Sequence, residues 1–217
     1  MPLPIVYRTG GDVQVNYDFA DVISGTGYIT FYLQASNLGT GTPSTSYSLT
    51  RQTMRSYPVS SQGSTATGGS FTKVLDINFD YPIDKTLTLK GDALCDISSM
   101  LDDGANPGNC QFYIVVKIAK YDGSTETVLG SAQGATSTRT GGTNPVYLAD
   151  SLKIPIPETT LKRGHTLRVI GECWIDASTT GTCNGEIAHS PAAQYWDTNA
   201  SPVTSQSVIQ IPLRLDI

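Results

Sequence analysis

Glu172 and Glu186 are the carboxylates whose spacing could support chemistry. A hairpin turning about Ser178 would set Glu186 diagonal to Glu172 on the face that carries Trp174. A cross-strand diagonal measures roughly 7–8 Å. That falls within the separation of an inverting glycosidase, in which one carboxyl protonates the leaving oxygen and the other activates water. Glu172 and Asp176, about 13 Å apart along one strand, are too distant. Arg168 is also diagonal to Glu186 in this register, so a surface ion pair accounts for the face without catalysis. Position alone gives neither carboxyl a reason for a raised pKa.

The same register opposes Cys173 and Cys183 at a spacing a disulfide can bridge, while Cys95 and Cys110 flank a single loop. The alternative is four buried thiols acting as small apolar side chains. The opening MPLPIVYRTGGDV lacks the apolar core of an export signal. A chain starting at that Met1 is made in the cytoplasm, where thiols stay reduced, and the reduced state is the expectation. No C-x-x-C motif or neighbouring histidine suggests a metal. In the loop from Asp102 to Asn106, Gly104 stands where a calcium loop needs its second oxygen ligand, so a solvated turn is expected there.

His165 and His189 have no serine or cysteine nucleophile beside them in a recognisable motif, and the G-x-S-x-G elbow is absent. No catalytic residue, metal or cofactor is therefore expected, and the chain is read as not an enzyme. Trp174, Tyr195 and Trp196, with Glu172 and Glu186 as polar neighbours, are the candidates for a sugar-binding platform. Such aromatics also serve as core or interface anchors.

Positioning these residues requires strands. In QFYIVVKIAKYDGSTETVLG (111–130), Phe112, Ile114, Val116 and Ile118 alternate with Tyr113, Val115, Ala119 and Tyr121. A strand apolar on both faces belongs in the middle of a packed sheet. Asp122-Gly123 reads as a two-residue hairpin loop returning through a short strand from Thr125 to Leu129. Period-2 alternation recurs at 13–19, 28–35, 75–81, 167–176 and 208–217. Strand-like segments are also expected at 46–53, 86–90, 146–156 and 183–188, the third ending or lying at an edge where Pro155 and Pro157 fall. Cys95 to Met100 reads as a short helix or turn, and Gly63 to Gly69 as a flexible loop.

Nine to ten strands with long polar connections predict an all-β, two-sheet antiparallel sandwich of the jelly-roll kind. Residues 1–217 are expected to form one domain, with Ser/Thr/Gly-rich loops at 36–70, 131–144 and 189–206.

Only 15% of the chain is charged, against about 25% in an average soluble domain. Its polarity comes instead from 27 Thr and 21 Ser. The net charge of −5 argues against nucleic acid as a main partner. No apolar run reaches the roughly 20 residues that would span a membrane.

Three stretches together resemble small jelly-roll structural proteins of tailed bacterial and archaeal viruses: VNYDFADVISGTGYITFYL (15–33), the hairpin with its DGSTET turn, and LKRGHTLRV (161–169). The resemblance implies a capsid decoration, head-fibre or minor capsid role in a virion, after synthesis in the host cytoplasm. Its partners would be other virion proteins such as a major capsid protein. A homo-oligomer, with a trimer favoured, would cover exposed sheet edges. No functional residues come with this resemblance. Pro2, Leu3, Ile5, Tyr7, Tyr195 and Trp196 are the expected interface residues, being apolar or aromatic outside any clear strand. The alternative is a carbohydrate-binding or host-receptor-binding sandwich.

Overall fold

The computed structural model describes residues 15–16, 26–37, 45–54, 56, 60–65, 69–102, 110–139, 145–177, 182–193 and 204–214. These contain thirteen strands and no helix. In chain order they are β1 (Val15–Asn16), β2 (Thr26–Asn37), β3 (Thr45–Thr50), β4 (Ser60–Thr65), β5 (Thr72–Pro82), β6 (Leu87–Asp102) and β7 (Cys110–Tyr121). Then come β8 (Glu126–Gln133), β9 (Ser137–Arg139), β10 (Val146–Leu161), β11 (Thr166–Ala177), β12 (Cys183–Ala188) and β13 (Val208–Arg214).

Hydrogen-bonded neighbours run β4-β12-β6-β13-β2-β3-β5-β11-β7-β8, with β10 along the other side of β6, β1 beside β2 and β9 beside β7. Every ladder is antiparallel except the single bridge Ser48↔Asp80, where β3 hands over to β5. There the sheet bends, and its two arms pack face to face as a sandwich. Gly185 of β12 shows how closely they meet: a Cβ on it would stand 2.9 Å from the Phe112 ring of β7. The Cys110–Cys183 disulfide joins the same two strands, with a Cα–Cα distance of 6.6 Å.

Alternation decides which side chains enter the space between the arms. Phe112, Ile114, Val116 and Ile118 of β7 are buried there, as are Leu167, Val169, Cys173 and Ile175 of β11. The opposite arm contributes Phe31, Leu33, Leu89, Ile97, Ile209 and Ile211. Full burial of each such side chain stabilises the fold by about 1.5–3 kcal/mol.

Several expectations are corrected. The segment from Cys95 to Met100 is neither helix nor turn but the interior of the 16-residue β6. Ser98, Ser99 and Met100 are buried along with Ile97, so no simple alternation was available to reveal the strand. Gly63 to Thr65 belong to β4, paired with β12, and only 66–68 of the expected flexible loop lie outside the described residues. Likewise β9 falls within the expected loop 131–144, whereas β3 lies where a strand was expected at 46–53.

The 122–125 connection has four residues rather than two, because Tyr121 pairs with Glu126. The Asp122 carboxylate accepts the amide hydrogens of Ser124 and Thr125, and Gly123 has a φ of 100°. Strand β10 continues through Pro155 and Pro157 to Leu161, its ladder to β6 shifting between Ile156 and Thr159. Both prolines thus lie on a strand hydrogen-bonded along one side, an edge position.

The largest correction concerns β11 and β12, which are not a hairpin. β11 pairs with β5 and β7, whereas β12 pairs with β4 and β6. Cys183 consequently bonds Cys110, and Cys95 and Cys173 are free and buried. Neither expected pairing forms, nor do all four thiols stay reduced.

The two outer strands of the path are also covered. Gly130 of β8 backs onto the Pro155 carbonyl of β10, and Gly63 of β4 backs onto the Val74 carbonyl of β5. The sandwich therefore closes towards a barrel, and the edges expected to need a partner face strands of the same molecule.

Candidate functional site

Two clusters combine chemically capable side chains. The first lies on the outward face of β11, where Arg168, Ile170, Glu172, Trp174 and Asp176 alternate with the core residues. Register places Glu172 between Asp76 of β5 and Val115 of β7, and Trp174 between Lys73 and Tyr113.

Although it points outward, Glu172 is only 2% exposed. Lys117 Nζ donates to its Oε1 at 2.6 Å and Lys73 Nζ to the same oxygen at 3.2 Å, while Trp174 Nε1 donates to Oε2 at 3.0 Å. Burial pushes the Glu172 carboxyl up, but the hydrogen bonds from Lys117, Trp174 and Lys73 outweigh it and hold the group below its ordinary value. An ionised carboxylate so fully occupied is an electrostatic anchor and not a proton donor.

The Trp174 ring lies nearly parallel to that of Tyr113, with centroids 6.1 Å apart, and Phe71 leans on Tyr113 at 4.7 Å. Three half-buried rings therefore form a row beside the anchored carboxylate. The Trp174 indole has its one donor committed inside the protein.

The second cluster joins β3, β4 and the residue after β12. His189 Nε2 lies 2.9 Å from Ser61 Oγ, which also bonds Tyr47 Oη at 2.8 Å. His189 is 0% exposed, packed against the edges of the Tyr47 and Phe79 rings. Burial lowers its pKa to about 4, so the imidazole is neutral. Among the described residues its Nδ1 has no hydrogen-bond partner. The separation is that of a serine nucleophile and its base. The low basicity and the missing orienting acceptor on Nδ1 leave the base weak.

Glu186 does not join Glu172. It projects from the outward face of β12 on the opposite arm, where Ser60 Oγ donates to it at 2.7 Å. The two carboxylates point away from each other, and the glycosidase geometry does not exist. Pro2, Leu3, Ile5, Tyr7, Tyr195 and Trp196 lie outside the described residues, as does most of the Asp102–Asn106 loop. Among the described residues no helix is long and apolar enough to cross a membrane.

Sequence reasoning missed Lys73, Lys117 and Tyr113 as neighbours of Glu172 and Trp174, and it missed Ser61 beside His189. Ser61 and His189 are 128 positions apart, and no motif connects them.

No family model matches the chain. No curated protein matches it. Among solved structures, an α-amino acid ester hydrolase is similar at a TM-score of 0.55 and 12% identity, over 85% of this chain and 36% of that one. An aminopeptidase from a marine sediment thaumarchaeon is similar at a TM-score of 0.52 and 10% identity, over 85% of this chain and 36% of that one. The infectious bursal disease virus structure (Gx strain) aligns at a TM-score of only 0.32 and 8% identity, over 72% of this chain and 34% of that one.

The chain thus spans little more than a third of the two hydrolases, and the likeness establishes the fold alone. It nevertheless overturns the expectation that the chain is not an enzyme, since this sandwich forms part of hydrolases.

Proposed function

We propose that the chain is a virion structural protein, a decoration, head-fibre or minor capsid component that packs against other virion subunits as a symmetric oligomer. The observation that carries this reading is Leu94, 40% exposed at the middle of β6 on the outward face of its arm. Lys153 of β10 and Gln210 of β13 flank it in register, and a shallow groove runs past Cys95, Ser151 and Leu152. One row along, half-buried Val208 and Tyr32 continue the surface.

A large apolar side chain left in water in the centre of a sheet is suited to burial by a partner. Because the outer strands close against the same molecule, subunits would join through this face rather than through edges. The hydroxyl-rich composition and the resemblance carried by residues 15–33, 111–130 and 161–169 support the virion setting.

Sedimentation of the purified chain and of Leu94→Arg, with labelling of purified particles by an antibody to the chain, tests the reading. The wild type should sediment as an oligomer and label particles, and Leu94→Arg should sediment as a monomer. A monomeric wild type absent from particles overturns it.

A second reading, favoured by the hydrolase folds, makes the chain part of an ester or peptide hydrolase using Ser61 and His189. Turnover of an α-amino acid ester that is abolished in Ser61→Ala would support it. Equal background rates for both proteins would remove it.

A further inference from the structure

The topology brings three turns to one end of the sandwich. The 82–86 turn from β5 to β6 and the 162–165 turn from β10 to β11 are joined by backbone hydrogen bonds, Ile83 N to the His165 carbonyl at 2.8 Å and Gly164 N to the Ile83 carbonyl at 2.9 Å. The 122–125 turn stands beside them, since Thr166 pairs with both Pro82 and Tyr121.

Arg168 fastens the strands beneath. It forms a two-pronged bond to Asp80 at 2.7 and 2.8 Å, an ion pair with Glu126 at 2.8 Å, and a contact over the Tyr121 ring at 4.7 Å. This end is a rigid platform.

It presents Lys85, Lys120, Lys162 and Arg163. Elsewhere Lys73, Lys90, Lys117, Lys153 and Arg214 all sit in ion pairs. Among the described residues these four cations sit in none, and neither does Arg51, past the end of β3. The nearby acids not held by Arg168 are Asp84 and Asp122, the latter held ionised by the amides of its own turn, so four cations face two carboxylates. The end is therefore locally positive on a chain of net charge −5. At physiological salt the screening length is about 8 Å, so the remote acids do not cancel it.

We propose that this turn end binds an anionic polysaccharide, one bearing sulfate or carboxylate groups. Apart from Pro82, the exposed side chains of the three tips are polar or charged, with Ile83 buried beneath them. A specific protein interface needs an apolar centre, which these tips lack. A linear polyanion needs only spaced cations and the release of its counterions. Tips on two arms of the sandwich offer such spacing along a flexible chain.

The test is retention of the full chain on heparin-agarose at about 0.1 M NaCl, with polyglutamate-agarose and neutral dextran as comparison matrices. The comparison variant carries Gln at 85, 120, 162 and 163, and a control carries Gln at the ion-paired Lys90 and Lys153. Wild type and control should be retained by heparin and pass through dextran. The fourfold variant should bind more weakly by roughly fivefold per charge removed, with an unchanged circular dichroism spectrum. If that variant unfolds, Lys162→Gln with Arg163→Gln alone must still weaken binding. No retention on heparin, or equal loss in the control, overturns the proposal. Tighter retention on polyglutamate than on heparin assigns the end to acidic protein and also overturns it.

Discussion

Gly130 and Pro155 are in backbone contact across the seam where β8 meets β10: a methyl group on Gly130 would stand 2.5 Å from the Pro155 carbonyl oxygen and 2.8 Å from Ile154 Cγ2. No ladder joins these two strands, so the seam depends on close approach. Gly130→Ala must push them apart. We expect a loss of roughly 1–3 kcal/mol in urea unfolding, the usual cost of overpacking. A variant as stable as the wild type would mean that the seam stands open in solution.

The Cys110–Cys183 bond closes a loop spanning 73 positions. Replacing both residues by Ala should lower stability by about 4 kcal/mol, mainly by freeing the unfolded chain. In the intact native protein neither Cys95 nor Cys173 should react with iodoacetamide. Both are buried, and burial pushes the Cys95 thiol up to about 12. Rapid labelling of either would contradict the packing described for β6 or β11.

His189 should make the fold acid-sensitive. Its pKa is about 4 in the folded protein against 6.5 ordinarily, so the unfolded chain binds the proton more readily. The stability this group contributes is complete above pH 6.5 and is lost as pH falls towards 4, a change of about 3 kcal/mol. Urea midpoints at pH 7 and pH 4 should diverge less in His189→Gln than in the wild type. Parallel pH profiles would show that the imidazole is not buried as described.

Glu172 holds together side chains from β5, β7 and its own strand. Glu172→Ala strands Lys117 and the Trp174 N–H without their acceptor. Because Lys73 and Lys117 are 37% and 31% exposed, solvent screens part of the loss. We expect about 1–3 kcal/mol, smaller than for a fully buried pair. Glu172→Gln, which can still accept the Trp174 hydrogen bond, should recover part of it. Full recovery in Glu172→Gln would mean that charge is not what the site supplies, and equal losses for both substitutions would mean that the acceptor for Trp174 contributes nothing.

Much of the strand pattern was legible because inward and outward residues alternate. Leu167, Val169, Cys173 and Ile175 are readable as one face without knowing what covers them. What covers them was not readable. The turn-like stretch at 177–182 resembles a hairpin connection, yet Glu186 lies across from Gln62 and Met100, partners that only long-range pairing selects. The disulfide assignment failed for the same reason. Glu172 was recognised as a chemical group, but its state depends on Lys73 and Lys117, which strand register alone brings to it.

The pairing of β4 with β12 also has a consequence in time. Ser60 lies opposite Ala188, so β4 is made long before its partner exists. At synthesis rates of roughly 5–20 residues per second, the strand waits on the order of ten seconds without a ladder. A waiting strand rich in Val or Ile would be a template for aggregation. The sequence SSQGST, with no large apolar side chain, lets the nascent chain pass through that interval with little for a neighbouring ribosome's product to adhere to.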